Sequence, residues 1–469
     1  MDKLEVIDKN SDKMLKASKQ IRSFIEKLVD EASFVETDVF MAGPTYVDGT
    51  EALGEGVVTG FAYITGSPVC IIAQNYEVLK GSLSVTHANK IEKTLSRALQ
   101  TKCPVISIIS SNGARLGEGV AVLEGYSKII RKANELKGNV PHICVVDGPA
   151  VGLMSSYVNT ADFVFINSKK GYVSVNAPQV LLAKAKTYKD AAVELGKELV
   201  KNSLVATNVY DTVDEVCNDV YKLIELLYDG EREDITDDPN RLTPALNKGV
   251  TVEKLLKAVY DNGKYMTFYD DYAKEVVVAL GIVNGVTCGI VANRSTENDG
   301  FISKNGLQKI NEFVYKLDSL QIPLITLVDS KGINSNLAEE QEGLSKVCAD
   351  LLSNISLSNN AKVSVITGNA VGFAYSALAS KSIGFDYTLA FVDSYVSPLN
   401  ADTAIEVLAE EDIKKASDPV KAREALQKAY VTDAANPYVT AKEGFIDNVI
   451  EPAVIRPYII SILNILMGY

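Results

Sequence analysis

Gly148-Pro149-Ala150-Val151-Gly152-Leu153-Met154-Ser155-Ser156 returns later in the chain as Gly368-Asn369-Ala370-Val371-Gly372-Phe373-Ala374-Tyr375-Ser376, displaced by 220 residues (368 − 148). Its surroundings keep step. Ala73-Gln74-Asn75 is answered by Ala292-Asn293, Pro104-Val105-Ile106 by Pro323-Leu324-Ile325, and Gly113 by Gly332, each displaced by 219 (332 − 113). A near-constant offset over a long stretch of both copies indicates two homologous domains in one chain. At 469 residues the chain also exceeds one hydrophobic core and suits two of roughly 200 to 250 residues. The copies meet in a polar, acidic stretch, Asp229 to Arg241, which places the boundary near 235: one domain over 1–235, the other over 236–469.

Working outward from the glycine segments, Val85, Ala88, Ile91, Leu95 and Leu99 recur at helical spacing and predict a helix from Ser84 to Gln100. Val105 to Ile109 reads as a buried strand, Ser111 to Gly117 as a loop, and Glu118 to Leu136 as a helix. His142 to Val146 is the next strand, Asp147-Gly148-Pro149 a turn, and a helix of small residues starts near Ala150. The second half replays this order: a helix through Leu307 and Leu320, a strand from Leu324 to Val328, a loop at Asp329 to Gly332, a strand from Val363 to Ile366, then a turn from Gly368 to Gly372. Such alternation predicts an α/β chain with a largely parallel sheet in each half.

Bulk composition narrows the function. A net charge of −13 lacks the footprint of a nucleic-acid binder and disfavours docking on anionic lipid, although a local cluster of cations could still hold a phosphorylated ligand. The charged start, Met1-Asp2-Lys3-Leu4-Glu5, has no signal-peptide core, and no apolar run nears the ~18 residues of a membrane span. The apolar stretch from Tyr458 to Met467 reads as a docked helix rather than an anchor. Six cysteines without a C-x-x-C pair read as buried thiols, which points to the cytosol, and no spacing suggests a metal site.

The catalytic equipment is sparse. His142 sits in an apolar strand and reads as core; His87 reads as an exposed or capping residue of its helix. There is no G-x-S-x-G elbow and no P-loop. What remains is the glycine turns. Leading N–H groups of a helix have no internal acceptor and suit an oxyanion, and glycine lets a ligand approach the backbone. The competing reading is that these glycines only allow tight strand–helix packing.

Further residues resemble a known family, the carboxyltransferase subunits of biotin-dependent acyl-CoA carboxylases and decarboxylases. Leu28 to Glu36 resembles its opening motif LLDxxSFxE. Gly56-Val57-Val58-Thr59-Gly60-Phe61 with Gly66-Ser67-Pro68-Val69 resembles its GxGVVTGxGxIxGRPV pair. Gly81-Ser82-Leu83 with Lys90-Ile91 is similar to GGSxG…KI, and Ser111 to Gly119 to SGGARxxEG. Gly289-Ile290-Val291-Ala292-Asn293 resembles GIVAN, while Asn436-Pro437-Tyr438 and Gly444 to Pro452 resemble NPY…GxIDxVIEP.

The resemblance implies two tandem crotonase-like β/α superhelical domains, the first on the acyl-CoA side and the second on the biotin side. It implies transfer of a carboxyl group between N-carboxybiotin, on a biotin carboxyl carrier protein, and the α-carbon of a short acyl-CoA such as acetyl- or propionyl-CoA. Oxyanion character then develops on the thioester and ureido oxygens, so two holes are needed. By the family's motifs the acyl-CoA hole falls at Gly152 and Leu153 and the biotin hole at Phe373 and Ala374. Gly113, Ala114, Arg115 and Val151 would line the first site, and Gly372 and Ser376 the second; for Arg115, contact with CoA competes with a structural salt bridge. Expected partners are a biotin carboxylase or the membrane subunit of a decarboxylase, with a homo-oligomer built from dimers, a hexamer by family, whose site lies between the first domain of one chain and the second of its neighbour. Two alternatives stay open: the α subunit of a sodium-pump-coupled decarboxylase of methylmalonyl- or glutaconyl-CoA type, and a non-catalytic CoA-binding or scaffold paralogue. The departures are Leu153 and Phe373 in place of glycine, Asp329-Ser330-Lys331-Gly332-Ile333 where the family has D-x-P-G-F, Gly368-Asn369 where it has Arg-Lys, and Ser110-Ser111-Asn112 ahead of Gly113.

Overall fold

A computed structural model describes residues 3–43, 52–184, 193–227 and 237–468. The chain divides into two compact units, Met1–Asp229 and Gly230–Tyr469. The expected boundary near 235 lies outside the described residues.

In the first unit the strands are β1 (Val35–Thr37), β2 (Val57–Ile64), β3 (Ser67–Gln74), β4 (Val105–Ser111), β5 (His142–Val151), β6 (Phe163–Asn167), β7 (Tyr172–Ser174) and β8 (Asn208–Tyr210). They order as β1-β2-β3-β4-β5-β6-β8, with β7 pairing the end of β5. The second unit repeats this with β9 (Tyr265–Phe268), β10 (Val276–Val283), β11 (Val286–Asn293), β12 (Leu324–Ser330), β13 (Lys362–Val371), β14 (Tyr387–Phe391), β15 (Tyr395–Ser397) and β16 (Asn448–Ile450). Its order is β9-β10-β11-β12-β13-β14-β16, and β15 pairs the end of β13. The first two pairings of each sheet are antiparallel and the others parallel. The motifs Gly56 to Phe61 and Gly66 to Val69 thus form an antiparallel hairpin, in register from Val57↔Gln74 to Ile64↔Ser67.

Why the sheets form is visible in β4, Val-Ile-Ser-Ile-Ile-Ser-Ser, in which every residue is buried. A parallel strand is covered on both faces, so it carries no polar alternation. The covering helix runs Val85–Thr101; Ser84 caps it by accepting from the His87 N–H at 2.9 Å, and Ile91, Leu95 and Ala98 are fully buried under it. Burying Ile91 or Leu95 stabilises the unit by roughly 1.5–3 kcal/mol each. Its counterpart is Lys304–Ser319, capped by Ser303. Both helices carry a lysine aimed inward at the same place (309 − 90 = 219). Lys90 Nζ donates to the carbonyls of Gly54 (3.1 Å) and Val57 (2.7 Å). Lys309 Nζ donates to those of Tyr269, Tyr272, Ala273 and Val276 at 2.7–3.4 Å. The C-terminal segment is a docked helix, Ile455–Met467, burying Ile455, Ile459, Ile460, Ile462 and Leu463.

One local expectation changes. Asp147-Gly148-Pro149 is not a turn: β5 runs on to Val151 and the following helix starts at Leu153, as β13 runs on to Val371 with a helix from Phe373. Register with β4 slips between Ile109 and Ser111, and with β12 between Val328 and Ser330, which lets the strand bend and pair with β7 or β15. Glycine suits the bend: a Cβ on Gly148 would overlap Ser110 Oγ, and one on Gly368 the Asp329 carboxylate, so either side chain would have to move. The packing reading therefore holds for Gly148 and Gly368.

Candidate active site

Different physics governs Gly152 and Gly372. An added Cβ on Gly152 would meet nothing within 4 Å, yet the backbone sits at φ 67°, ψ −135°; Gly372 sits at φ 54°, ψ −120°. Only glycine adopts this region readily. The Gly152 N–H donates to the Ser174 carbonyl of β7 and the Gly372 N–H to the Ser397 carbonyl of β15, both at 2.9 Å. This corrects the expectation for Gly152: its N–H is already committed, so it shapes the turn rather than donating. The next N–H groups, of Leu153 and Met154 in one unit and Phe373 and Ala374 in the other, open six-residue helices and have no intrahelical acceptor ahead of them. The two pairs are equivalent (373 − 153 = 220; 374 − 154 = 220). Leu153 is 39% exposed and Phe373 half-buried, so neither replacement for glycine is packed into the core. Ser376, expected on the ligand, turns its Oγ back to the Gly372 carbonyl at 3.3 Å.

A second turn flanks each of these. Gly113 is at φ 103° and Gly332 at φ 112°, and a Cβ on either would stand 3.5 Å from the carbonyl oxygen of Val151 or Val371. Ser111 Oγ accepts from the Gly113 N–H and Ser330 Oγ from the Gly332 N–H, both at 3.2 Å. The loop after β3 then pairs with this turn: Leu83 N–H donates to the Gly113 carbonyl and Arg115 N–H to the Leu83 carbonyl, both at 2.9 Å. Ile302, Gly332 and Asn334 repeat this at 2.9 and 3.0 Å. The structure thus brings Gly113, Ala114 and Val151 together with Gly152 and Leu153 in one unit, and Gly332 with Gly372 to Ser376 in the other.

Arg115 belongs to the scaffold of this turn. It is 6% exposed, and its Nη1 lies 2.5 Å from Glu55 Oε2, itself on a 1% exposed residue. Nη2 donates to the Ser82 carbonyl at 2.9 Å, and Glu55 also accepts from Ser84 Oγ at 2.7 Å. Of its two expected roles the structural ion pair is the one seen. Breaking such a buried pair typically costs about 3–5 kcal/mol.

His87 is a further correction: it is fully buried, its ring bonded to the Glu55 carbonyl (2.9 Å) and Gln74 (3.3 Å). Its place on an amphipathic helix made it read as exposed or capping; β3 and Glu55 cover it only in three dimensions. Burial, then the charges of Arg115 and Lys90, lower its pKa to about 3. His142 lies in the core as expected, bonded to Ser107 Oγ at 3.0 Å, and burial lowers it to about 3 as well. Both imidazoles are neutral and sealed from solvent, which leaves backbone donors as the chemistry of the turns. Among the described residues no group of three His, Cys, Asp or Glu side chains is placed to hold a metal ion, and no helix is long and apolar enough to cross a membrane. A cleft of about 620 Å³ opens on the first unit between Phe24, Tyr76, Ile108, Pro149, Lys169 and Tyr172; none of Gly113–Arg115 or Gly152–Met154 lines it.

Sequence reasoning missed Met154, Glu55 and the acceptors Ser174 and Ser397. A signal for the serines was present: Tyr172-Val173-Ser174 recurs unchanged as Tyr395-Val396-Ser397 (395 − 172 = 223).

Known proteins resemble the chain over nearly its whole length. The Carboxyl transferase domain family matches residues 13–468. The methylmalonyl-CoA decarboxylase subunit alpha of Propionigenium modestum is 31% identical, the alignment covering 95% of this chain and 90% of that protein. The mitochondrial propionyl-CoA carboxylase beta chain of Homo sapiens is 32% identical, with 95% and 85% covered. A crystal structure of transcarboxylase 12S, described as a hexamer assembly with methylmalonyl-coenzyme A bound, superposes with a TM-score of 0.90 at 27% identity, covering 99% of this chain and 94% of that one. With its two crotonase-like units and their paired glycine turns, the chain belongs to the carboxyl transferase family, the carboxyltransferases of biotin-dependent acyl-CoA carboxylases and decarboxylases.

Proposed function

We propose that this carboxyltransferase acts on a short acyl-CoA of the propionyl/methylmalonyl class, with its thioester oxygen held by the N–H groups of Leu153 and Met154. The single observation that carries the placement is the commitment of the Gly152 N–H to Ser174, which leaves the next two amides to face a ligand. The names of the relatives support the substrate class. Biotin on its carrier protein would supply or accept the carboxyl group and exchange the proton at the acyl α-carbon. The second unit fits its ureido oxygen: Gly372 keeps the turn of Gly152, and Phe373 and Ala374 present equivalent amides. The departures there support one another. Asp329 Oδ1 accepts from the Asn369 N–H (2.8 Å) and Nδ2 (2.9 Å), and only glycine at 368 leaves room for that carboxylate. Asn369 and Gly368 thus form one packed solution rather than a decayed one, which weighs against a non-catalytic scaffold.

Donors fixed by a strand pairing need no reorganisation as negative charge grows, and one such donor lowers the barrier by about 3 kcal/mol. Leu153 and Phe373 leave this intact because the side chain does not carry the N–H. The working unit is an oligomer in which the first unit of one chain faces the second of a neighbour, in line with the hexamer described for transcarboxylase 12S. The test mixes purified protein with free biotin and malonyl-CoA or methylmalonyl-CoA and follows decarboxylation. Turnover is expected from an oligomer; a folded protein that binds CoA yet turns over no short malonyl-type thioester overturns the reading, as would an active monomer.

A further inference from the structure

We infer that Arg115 is a positioning residue for the acyl-CoA hole, acting through Ser82 and the Gly113 turn on the strand end that carries Gly152. The inference rests on the reading of the Leu153–Met154 amides as that hole. Its basis is a difference between two turns whose backbone bonds otherwise match. The Leu83–Gly113–Arg115 and Ile302–Gly332–Asn334 backbone bonds have the same partners and lengths within 0.1 Å (2.9 and 2.9 Å; 2.9 and 3.0 Å). Glu55 and Glu275 are equivalent (275 − 55 = 220), and each accepts from the capping serine of its helix, Ser84 or Ser303. Asn334 stands where Arg115 stands (334 − 115 = 219), so the second unit has no guanidinium at that place.

In the first unit the guanidinium joins three segments. Nη1 meets the Glu55 carboxylate at 2.5 Å, Nη2 meets the Ser82 carbonyl at 2.9 Å, and the backbone of Arg115 itself continues the Gly113 turn. The Gly113 turn lies beside the strand end ahead of Gly152: Ser111 pairs with Ala150, and a Cβ on Gly113 would stand 3.5 Å from the Val151 carbonyl. A planar fork with fixed donor directions can hold a carboxylate and a carbonyl at once; a lysine ammonium reaches one of them at a time. Arg115 therefore ties the loop after β3 to the hole only on the thioester side, where the ligand is a large, mobile CoA thioester.

The test compares Arg115→Lys, which keeps the charge beside Glu55, with the double variant Glu55→Gln/Arg115→Met, which leaves no unpaired buried charge. The kinetic arm measures decarboxylation of malonyl-CoA with free biotin. In Arg115→Lys we expect kcat/KM for the thioester to fall about tenfold or more, since small misplacement of a site carries up to ~10²-fold, while KM for biotin stays unchanged. The second arm is hydrogen exchange in the full chain without ligand. The amides of Leu83 and Arg115 should exchange faster in both variants, and those of Ile302 and Asn334 at the wild-type rate. Unaltered exchange at Leu83 and Arg115 overturns the inference, and so does a thioester kcat/KM that tracks the biotin KM. Absence of turnover in the wild type overturns the proposed function instead, and the exchange arm still decides the role of Arg115.

Discussion

Gly152→Ala separates a backbone role from a packing role more sharply than any other single change. An alanine Cβ there meets nothing within 4 Å, so the substitution adds no clash; its whole effect comes from the backbone at φ 67°, ψ −135°. Holding a non-glycine residue in such a region costs about 1–3 kcal/mol. If the turn keeps its shape, that strain appears as a lower melting temperature, about 2–4 °C per kcal/mol for a unit of this size. If the turn relaxes, the bond from the Gly152 N–H to Ser174 lengthens and the amides of Leu153 and Met154 swing away from the thioester oxygen. Relaxation is open to the turn because the space beside Gly152 is empty and Leu153 is 39% exposed, so we expect the second outcome. Losing one oxyanion donor then lowers kcat about 100-fold, roughly 3 kcal/mol, with little change in KM because the bond strengthens only as charge develops. The assay is malonyl-CoA decarboxylation with free biotin, run beside thermal unfolding, with Gly117→Ala as control because that site has an ordinary φ and open space. Gly148→Ala should instead fail by packing, since its Cβ overlaps Ser110 Oγ. If Gly152→Ala keeps the wild-type melting temperature, so that the turn has relaxed, yet keeps kcat within about threefold, about 0.65 kcal/mol, the amides after this turn are not the donors.

Leu153→Gly should leave kcat unchanged or higher and stability within about 1 kcal/mol, because the side chain is 39% exposed and the donor is its N–H; a kcat loss of an order of magnitude would show that the side chain itself touches substrate. The two histidines make the fold acid-sensitive. Burial holds their folded pKa near about 3, below the ordinary 6.5, so their neutral-state contribution is complete above pH 6.5 and each withdraws up to about 1.4 kcal/mol per pH unit as pH falls from 6.5 toward 3. Urea unfolding at pH 5.5 and 4.5 should show that slope, and His142→Gln should reduce it by close to one proton; an unchanged slope refutes the assignment. Lys309→Met removes a donor shared by four carbonyls and Lys90→Met one shared by two; the Tyr269, Ala273 and Gly54 carbonyls keep a backbone N–H, and each carbonyl left without a donor costs about 1–3 kcal/mol. Calorimetry should find the Lys309 variant the less stable; the reverse order would mean the two cages are not built as described.

The duplication, the parallel β/α order and the family were legible because they rest on local patterns: apolar spacing in Val85–Leu99, β-branched runs such as Val105–Ile109, and glycine segments that recur at 219–220. Strand ends were less so. The expected turn at Asp147–Pro149 is a bend inside β5, since the slip against β4 that bends it depends on a neighbouring strand rather than on its own residues. His87 and Arg115 show the same limit, for the polarity of a side chain does not say whether Glu55 waits beside it.

Within the glycine segments, the sequence alone determined that two equivalent glycine-bearing turns exist, while the positive φ that calls for glycine at 152 and 372 came from the structure. Which amides they present was decided by tertiary structure. The strands β7 and β15 take the Gly152 and Gly372 N–H groups, and a hydrogen-bond donor can serve only one strong acceptor at a time, so in the proposed reading the first pair shifts from Gly152–Leu153 to Leu153–Met154 while the second stays at Phe373–Ala374.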